Sequence, residues 1–140
     1  MTRLVAVVLG AVVLALSAGC GVGACTAIGC LDQVVVTLAP SEQALFSQPT
    51  EVSLCVNGSC TTATIGGSSA ANANVEVGGT GLIVRSTLGS VSKGTVHLTL
   101  SQQGTQRFDR TWADVTFTET RPNGPLCPPT CHAVTLDATM

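Results

Sequence analysis

Beyond residue 31 the chain alternates apolar and polar residues, with Val34, Val36 and Leu38, then Val52, Leu54 and Val56, then Val96, Leu98 and Leu100, and finally Val134 and Leu136 two apart. A period of two puts successive side chains on opposite faces of a strand. No segment after residue 20 sustains a helical period over three turns. The pattern predicts strands over 32–38, 51–56, 59–65, 82–88, 95–100, 106–110, 113–120 and 132–138, with 75–77 an edge fragment at best. Pro40 to Gln48 is polar around Leu45 and Phe46 and reads as a loop or a single helical turn. Gly66 to Asn74 reads as a flexible polar loop, and Gln102 to Gly104 and Pro122 to Pro125 as turns. Seven or eight short strands with turns at this spacing predict an all-β, immunoglobulin-like antiparallel β-sandwich.

The sharpest local signal is Asn57-Gly58, because a type I′ hairpin turn needs two positive φ angles and these residues accept them. The turn fixes the register: Val56 and Ser59 flank it, so Cys55 and Cys60 face each other in a non-hydrogen-bonded pair. Such residues lie about 4.5 Å apart at Cα, at the short end of the disulfide range.

The N-terminal run has a different character. Arg3 is the only charge in the first 31 residues, and Leu4 to Ala18 is an unbroken stretch of Leu, Val, Ala, Gly and Ser. A basic start and a short apolar stretch read as a secretory leader, since a spanning helix needs about 20 apolar residues. The Ala18-Gly19-Cys20 ending resembles the lipobox of bacterial lipoproteins, in which the Cys becomes the first mature residue and carries acyl chains. Ser17 stands where that motif prefers Leu, and the alternative is an ordinary signal peptide cut near Ala18, with Cys20 a spare thiol and the protein secreted. The resulting organisation is a leader over 1–19, a short tether over 20–31 holding Cys25 and Cys30, and one β-sandwich domain over 32–140. The roughly 120 residues after Cys20 suffice for one core and not for two.

Seven cysteines leave an odd one, and assigning Cys20 to lipid leaves six that can pair. Six cysteines allow fifteen pairings. Cys55 with Cys60 follows from the hairpin. In an immunoglobulin-like sandwich the first strand can run parallel beside the last, which aligns Cys30 with Cys131. Pro128-Pro129 favours an extended run and disfavours a local Cys127–Cys131 bridge. The expected set is therefore Cys30–Cys131, Cys25–Cys127 and Cys55–Cys60.

Cys25-Thr-Ala-Ile-Gly-Cys30 soon after the lipobox-like Cys, with Pro122-Asn-Gly-Pro-Leu-Cys127-Pro-Pro-Thr-Cys131 before the last strand, resembles a group of small uncharacterised lipoproteins of high-G+C Gram-positive bacteria. The resemblance implies an outer-leaflet anchor and an exported domain. It carries no activity and no functional residues.

Composition narrows the function classes. After Cys20 the five bases (Arg85, Lys93, Arg107, Arg110 and Arg121) are scattered among eight acids, which opposes a nucleic-acid footprint. One Trp, three Phe and no Tyr leave little for stacking on bases or sugars. Cys127-Pro-Pro-Thr-Cys131-His132 suggests a haem-attachment variant or a metal clip. Its spacing is one residue too long for haem, and export favours oxidising its thiols. His97, Asp109, Asp114 and Glu119, near Arg107 and Arg110, stand as isolated residues on strands, with Arg107 and Asp109 reading as a surface pair. They make no recognisable catalytic set, so neither an enzyme nor a cofactor is expected. Trp112 falls on the opposite face from Val115 and Phe117 and reads either as packed under a loop or as an exposed aromatic anchor for a partner, the one single-residue hint of binding. The expectation is a lipid-anchored exported binding or structural module of the bacterial cell envelope. It is held at the extracytoplasmic face of the membrane and has an envelope protein or peptidoglycan-associated partner. The competing class is a secreted enzyme or thiol-redox protein.

Overall fold

Alternation becomes two sheets in the computed structural model, which describes residues 25, 28–68, 73–79, 81–86 and 88–139. Residues 1–24, including the leader and Cys20, lie outside the described residues, as do positions 69–72 of the expected polar loop. Among the described residues nine strands form: β1 (Gln33–Thr37), β2 (Thr50–Val56), β3 (Ser59–Ile65), β4 (Val75–Gly78), β5 (Gly81–Arg85), β6 (Lys93–Gln102), β7 (Thr105–Thr116), β8 (Thr118–Thr120) and β9 (Cys131–Asp137). One sheet has the order β4-β5-β1-β9-β8 and the other β3-β2-β6-β7. The architecture is an all-β sandwich.

Two differences raise the strand number. The 75–77 fragment is a full edge strand paired with β5, and the two strands expected over 106–120 run as the long β7 followed by β8. The segment read as a loop or helical turn is a four-residue helix, α1 (Pro40–Gln43), running into a 3-10 turn over Ala44–Ser47. Pro40 opens α1, where its missing N–H costs nothing. Gln43 Nε2 donates to Leu38 O at 2.7 Å, and Thr50 Oγ1 donates to Leu45 O at 2.8 Å, so the helical segment is tied to the strands on both sides.

The period-two residues make the core. Val34, Val36, Val52, Leu54, Leu82, Val84, Val96, Leu98 and Leu100 are fully buried between the sheets. Burying each such side chain stabilises the fold by about 1.5–3 kcal/mol. Among the described residues β1 and β9 are the one parallel pair, with Val34 opposite Val134 and Val36 opposite Leu136; the other pairings are antiparallel. Asn57 (φ 50°) and Gly58 (φ 85°) form the expected hairpin turn, and Gln103 (φ 49°) and Gly104 (φ 76°) form a second of the same kind.

Registers and loop contacts assign these turns to opposite ends of the sandwich. Gln102 Nε2 donates to Leu45 O at 2.7 Å, which sets the Gln103-Gly104 turn beside α1 at the end where β1 finishes. Thr61 Oγ1 donates to Ser86 Oγ at 3.2 Å, and Ser86 N–H to Asp32 O at 3.3 Å, which sets the Asn57-Gly58 hairpin at the end where β1 begins. There β6 approaches the hairpin closely: a Cβ at Gly94 would lie 2.5 Å from Asn57 Oδ1, and that oxygen accepts Thr95 N–H at 2.9 Å.

Candidate functional site

The chemistry-bearing residues gather at the end where β1 and β9 begin. Parallel pairing brings the segments before these strands side by side, and two bridges join them: Cys25–Cys127, with Cα atoms 5.5 Å apart, and Cys30–Cys131, at 6.0 Å. Cys55–Cys60, at 3.9 Å, lies in the hairpin at the same end. These are the pairings expected from the hairpin register and from parallel first and last strands. The chain bends at Cys127 and Pro128, where composition points to an extended run, and the Pro128–Pro129 peptide is cis. Asn123 adds a third tie: its Oδ1 accepts Ile28 N–H at 3.1 Å, and its Nδ2 donates to Ile28 O at 2.9 Å and Pro128 O at 2.6 Å.

Asp32 is the hub of this end. Its Oδ1 accepts His132 N–H at 2.7 Å and its Oδ2 accepts Leu88 N–H at 2.8 Å. One carboxylate thus holds the start of β9 and the β5–β6 connection against the start of β1. Beside it runs an open groove of about 480 Å³ lined by Leu31, Asp32, Asn74, Arg85, Ser86 and Thr130 together with the Cys30–Cys131 bridge. Arg85 on its wall pairs with Glu76 at 2.9 Å. Both charged groups on the wall are thus engaged within the protein, Asp32 by two backbone N–H groups and Arg85 by Glu76.

His132 is buried on the inner side of β9, between two carboxylates: Nδ1 lies 3.9 Å from Asp32 Oδ1 and Nε2 3.7 Å from Glu119 Oε2. Nδ1 has no hydrogen-bond partner. Glu119 also pairs with Arg121 at the surface. The Cys127 and Cys131 sulfurs are taken up in bridges, so they are not thiolates that could ligate a metal. Among the described residues no group of three or more His, Cys, Asp or Glu is arranged to hold a metal ion.

His97 and Asp109 meet on the outer face of the second sheet, Nε2 to Oδ1 at 2.9 Å, and Gln106 Nε2 donates to Asp109 Oδ2 at 2.9 Å. The surface pair expected between Arg107 and Asp109 is therefore replaced by His97 with Asp109. The β6–β7 register shifts between Leu100 and Ser101, opposite Phe108 and Gln106, so Arg107 is the extra residue of a bulge and leaves the period. Asp114 (φ 54°) is exposed at a second bulge.

That second bulge overturns the reading of Trp112. Strict alternation puts Trp112 opposite in face to Val115 and Phe117, but the extra residue shifts the parity and turns the indole toward the core. It packs there, half-buried, against the buried core. Its Nε1 donates to Asp137 O at 3.1 Å, and the Arg110 guanidinium stacks 5.6 Å from the ring centroid while Nη1 donates to Ala138 O at 3.0 Å. Trp112 therefore fastens β7 to the end of β9 and is not a free anchor. Trp112→Phe loses that hydrogen bond and part of the indole's packing, so chemical denaturation should show a cost of about 1–3 kcal/mol. Next to it, Thr139 holds the Asp137 carboxyl below its ordinary value of 3.8, by its side-chain hydroxyl first and its backbone N–H second, with the Arg110 charge adding to this against desolvation. A lowered folded-state value means that this contribution to stability is present above the ordinary value and lost as pH falls through the folded one. An NMR titration should place the Asp137 midpoint below 3.8, and Thr139→Ala should move it up.

Sequence reasoning missed Asp32 and Asn123 because their roles are to hydrogen-bond backbone brought close by long-range topology. The one local signal for Asp32 is a lone carboxylate at the mouth of an apolar strand. Comparison with protein-family models, with curated proteins and with solved structures finds no match to this chain.

Proposed function

We propose that this chain is a lipid-anchored exported module, binding or structural in role, at the extracytoplasmic face of a bacterial cell membrane. The observation that carries the reading is the convergence of the two long-range bridges on the segment that follows Cys20. Only Gly21 to Ala24 separate Cys20 from Cys25, a reach of about 17 Å when extended. The stapled end then lies near the bilayer, and the opposite end, with α1 and the Gln103-Gly104 turn, presents itself to an envelope protein or peptidoglycan-associated partner. Three bridges suit an oxidising compartment. Mass spectrometry of the membrane fraction should find diacylglycerol on Cys20, and Cys20→Ala should release the protein from the membrane; a variant that stayed fully bound would overturn the reading.

The thiol-redox alternative rests on one observation, the partly exposed Cys55–Cys60 bridge with His97 directly across the strand from Cys55. Thiol titration of the purified protein separates the two readings. The module requires six cysteines fully paired, whereas a redox protein would show a reactive thiol pair at Cys55 and Cys60.

A further inference from the structure

We propose that Ile28, Leu31 and Leu126 form an apolar foot that seats the stapled end in the interfacial layer of the lipid bilayer. The inference rests on the anchored reading above and adds a second, non-covalent contact to it. Among the described residues these are the large hydrophobic side chains left exposed, at 55 %, 61 % and 82 %. All three sit on the two short segments that the Cys25–Cys127 and Cys30–Cys131 bridges join. The bridges and the Asn123 hydrogen bonds to Ile28 and Pro128 hold these segments in place, so the side chains cannot fold back onto the core. Exposed apolar side chains gathered on two bridged segments mark an interaction surface.

The occupant follows from where the chain goes. Five residues before Cys25 lies Cys20, at the end of the apolar leader, so a lipid surface is the apolar phase within reach of this end. A diacyl anchor already holds the chain, since two acyl chains suffice; it fixes distance and leaves tilt free. Three apolar side chains around the tether fix the tilt. Arg85 and Arg121 are paired with Glu76 and Glu119, and Lys93 at the start of β6 is a single further cation at this end, so the contact is mainly apolar and should depend little on lipid charge.

The single native tryptophan supplies an internal control, because Trp112 bonds to Asp137 at the far end of β9, about 20 Å from the foot at 3.3 Å per residue. The full chain, processed in a bacterial host and purified with its anchor, is reconstituted into phosphatidylcholine vesicles with and without brominated acyl chains, and again with phosphatidylglycerol added. In a Leu126→Trp variant the added fluorescence should shift to the blue and be quenched about twofold or more by brominated lipid, as expected for a side chain 5–10 Å into the interface. The unmodified chain should be unaffected, and both results should be the same in the two lipids. Leu31→Trp is the reporter if Leu126→Trp folds poorly. A chain retained on vesicles whose reporters are no more quenched than Trp112 overturns the foot and leaves the anchor standing. Quenching that appears only with phosphatidylglycerol overturns the apolar contact in favour of an electrostatic one. A chain not retained on vesicles at all overturns the anchored reading and the foot with it.

Discussion

Serine replacement of both long-range bridges should remove about 7–8 kcal/mol of stability, whereas loss of either one alone should remove only about 3. The asymmetry follows from loop length. Cys25–Cys127 and Cys30–Cys131 each close a loop of about a hundred residues, with sequence separations of 102 and 101, worth about 4.7 kcal/mol by chain entropy. Once either is formed, the other closes only the short ring through residues 25–30 and 127–131, worth about 3 kcal/mol on the same scale. The two singles therefore sum to less than the double. That double loss is comparable with the whole stability of a small domain, about 5–15 kcal/mol. Chemical denaturation of the two single-bridge variants and the bridge-free variant checks it, and additive losses would show that the bridges constrain independent regions.

Asp32→Ala is expected to cost about 4 kcal/mol, because it deletes two charge-assisted hydrogen bonds and strands their donors. The His132 and Leu88 N–H groups both point at this carboxylate, at a place where the side chain is only 17 % exposed. Asp32→Asn retains an acceptor for one donor and should lose about half as much. Hydrogen exchange at the His132 and Leu88 amides distinguishes this local tie from a general loss of packing: in Asp32→Ala these two amides should lose protection first.

Much of the sandwich was legible because its core residues alternate so regularly. Val34, Leu54, Leu98 and Leu136 mark strands by spacing alone, and Asn57-Gly58 fixes a register on conformational grounds. The pairing of Cys30 with Cys131 was legible only through a guess at topology, that the first strand lies parallel to the last. Trp112 was misread because period-two counting fails at a bulge. A warning was present in the chain: Phe108 sits at an even position and Val115 and Phe117 at odd ones, so a single strand cannot bury all three without an extra residue between them. Asp114 supplies that residue with a positive φ, a conformation Asp accepts and composition does not announce. Asp32, Asn123 and the groove depend on segments about a hundred residues apart meeting, which no local pattern encodes.

The bridges also decide how the molecule carries a mechanical load. Under the proposed lipid anchor, a partner pulling on α1 would strain the chain against the membrane, and the tension would not travel through one strand alone. From the tether it enters β1 through the backbone after Cys30 and β9 through the bridges to Cys127 and Cys131, so the two neighbouring strands carry it side by side. What bears the force is the parallel ladder between β1 and β9, whose bonds are loaded together in shear along the strands. The β3-β2-β6-β7 sheet follows α1 in the chain and stays out of that path, so a pull at α1 tests the first sheet and its bridges and leaves the second unloaded.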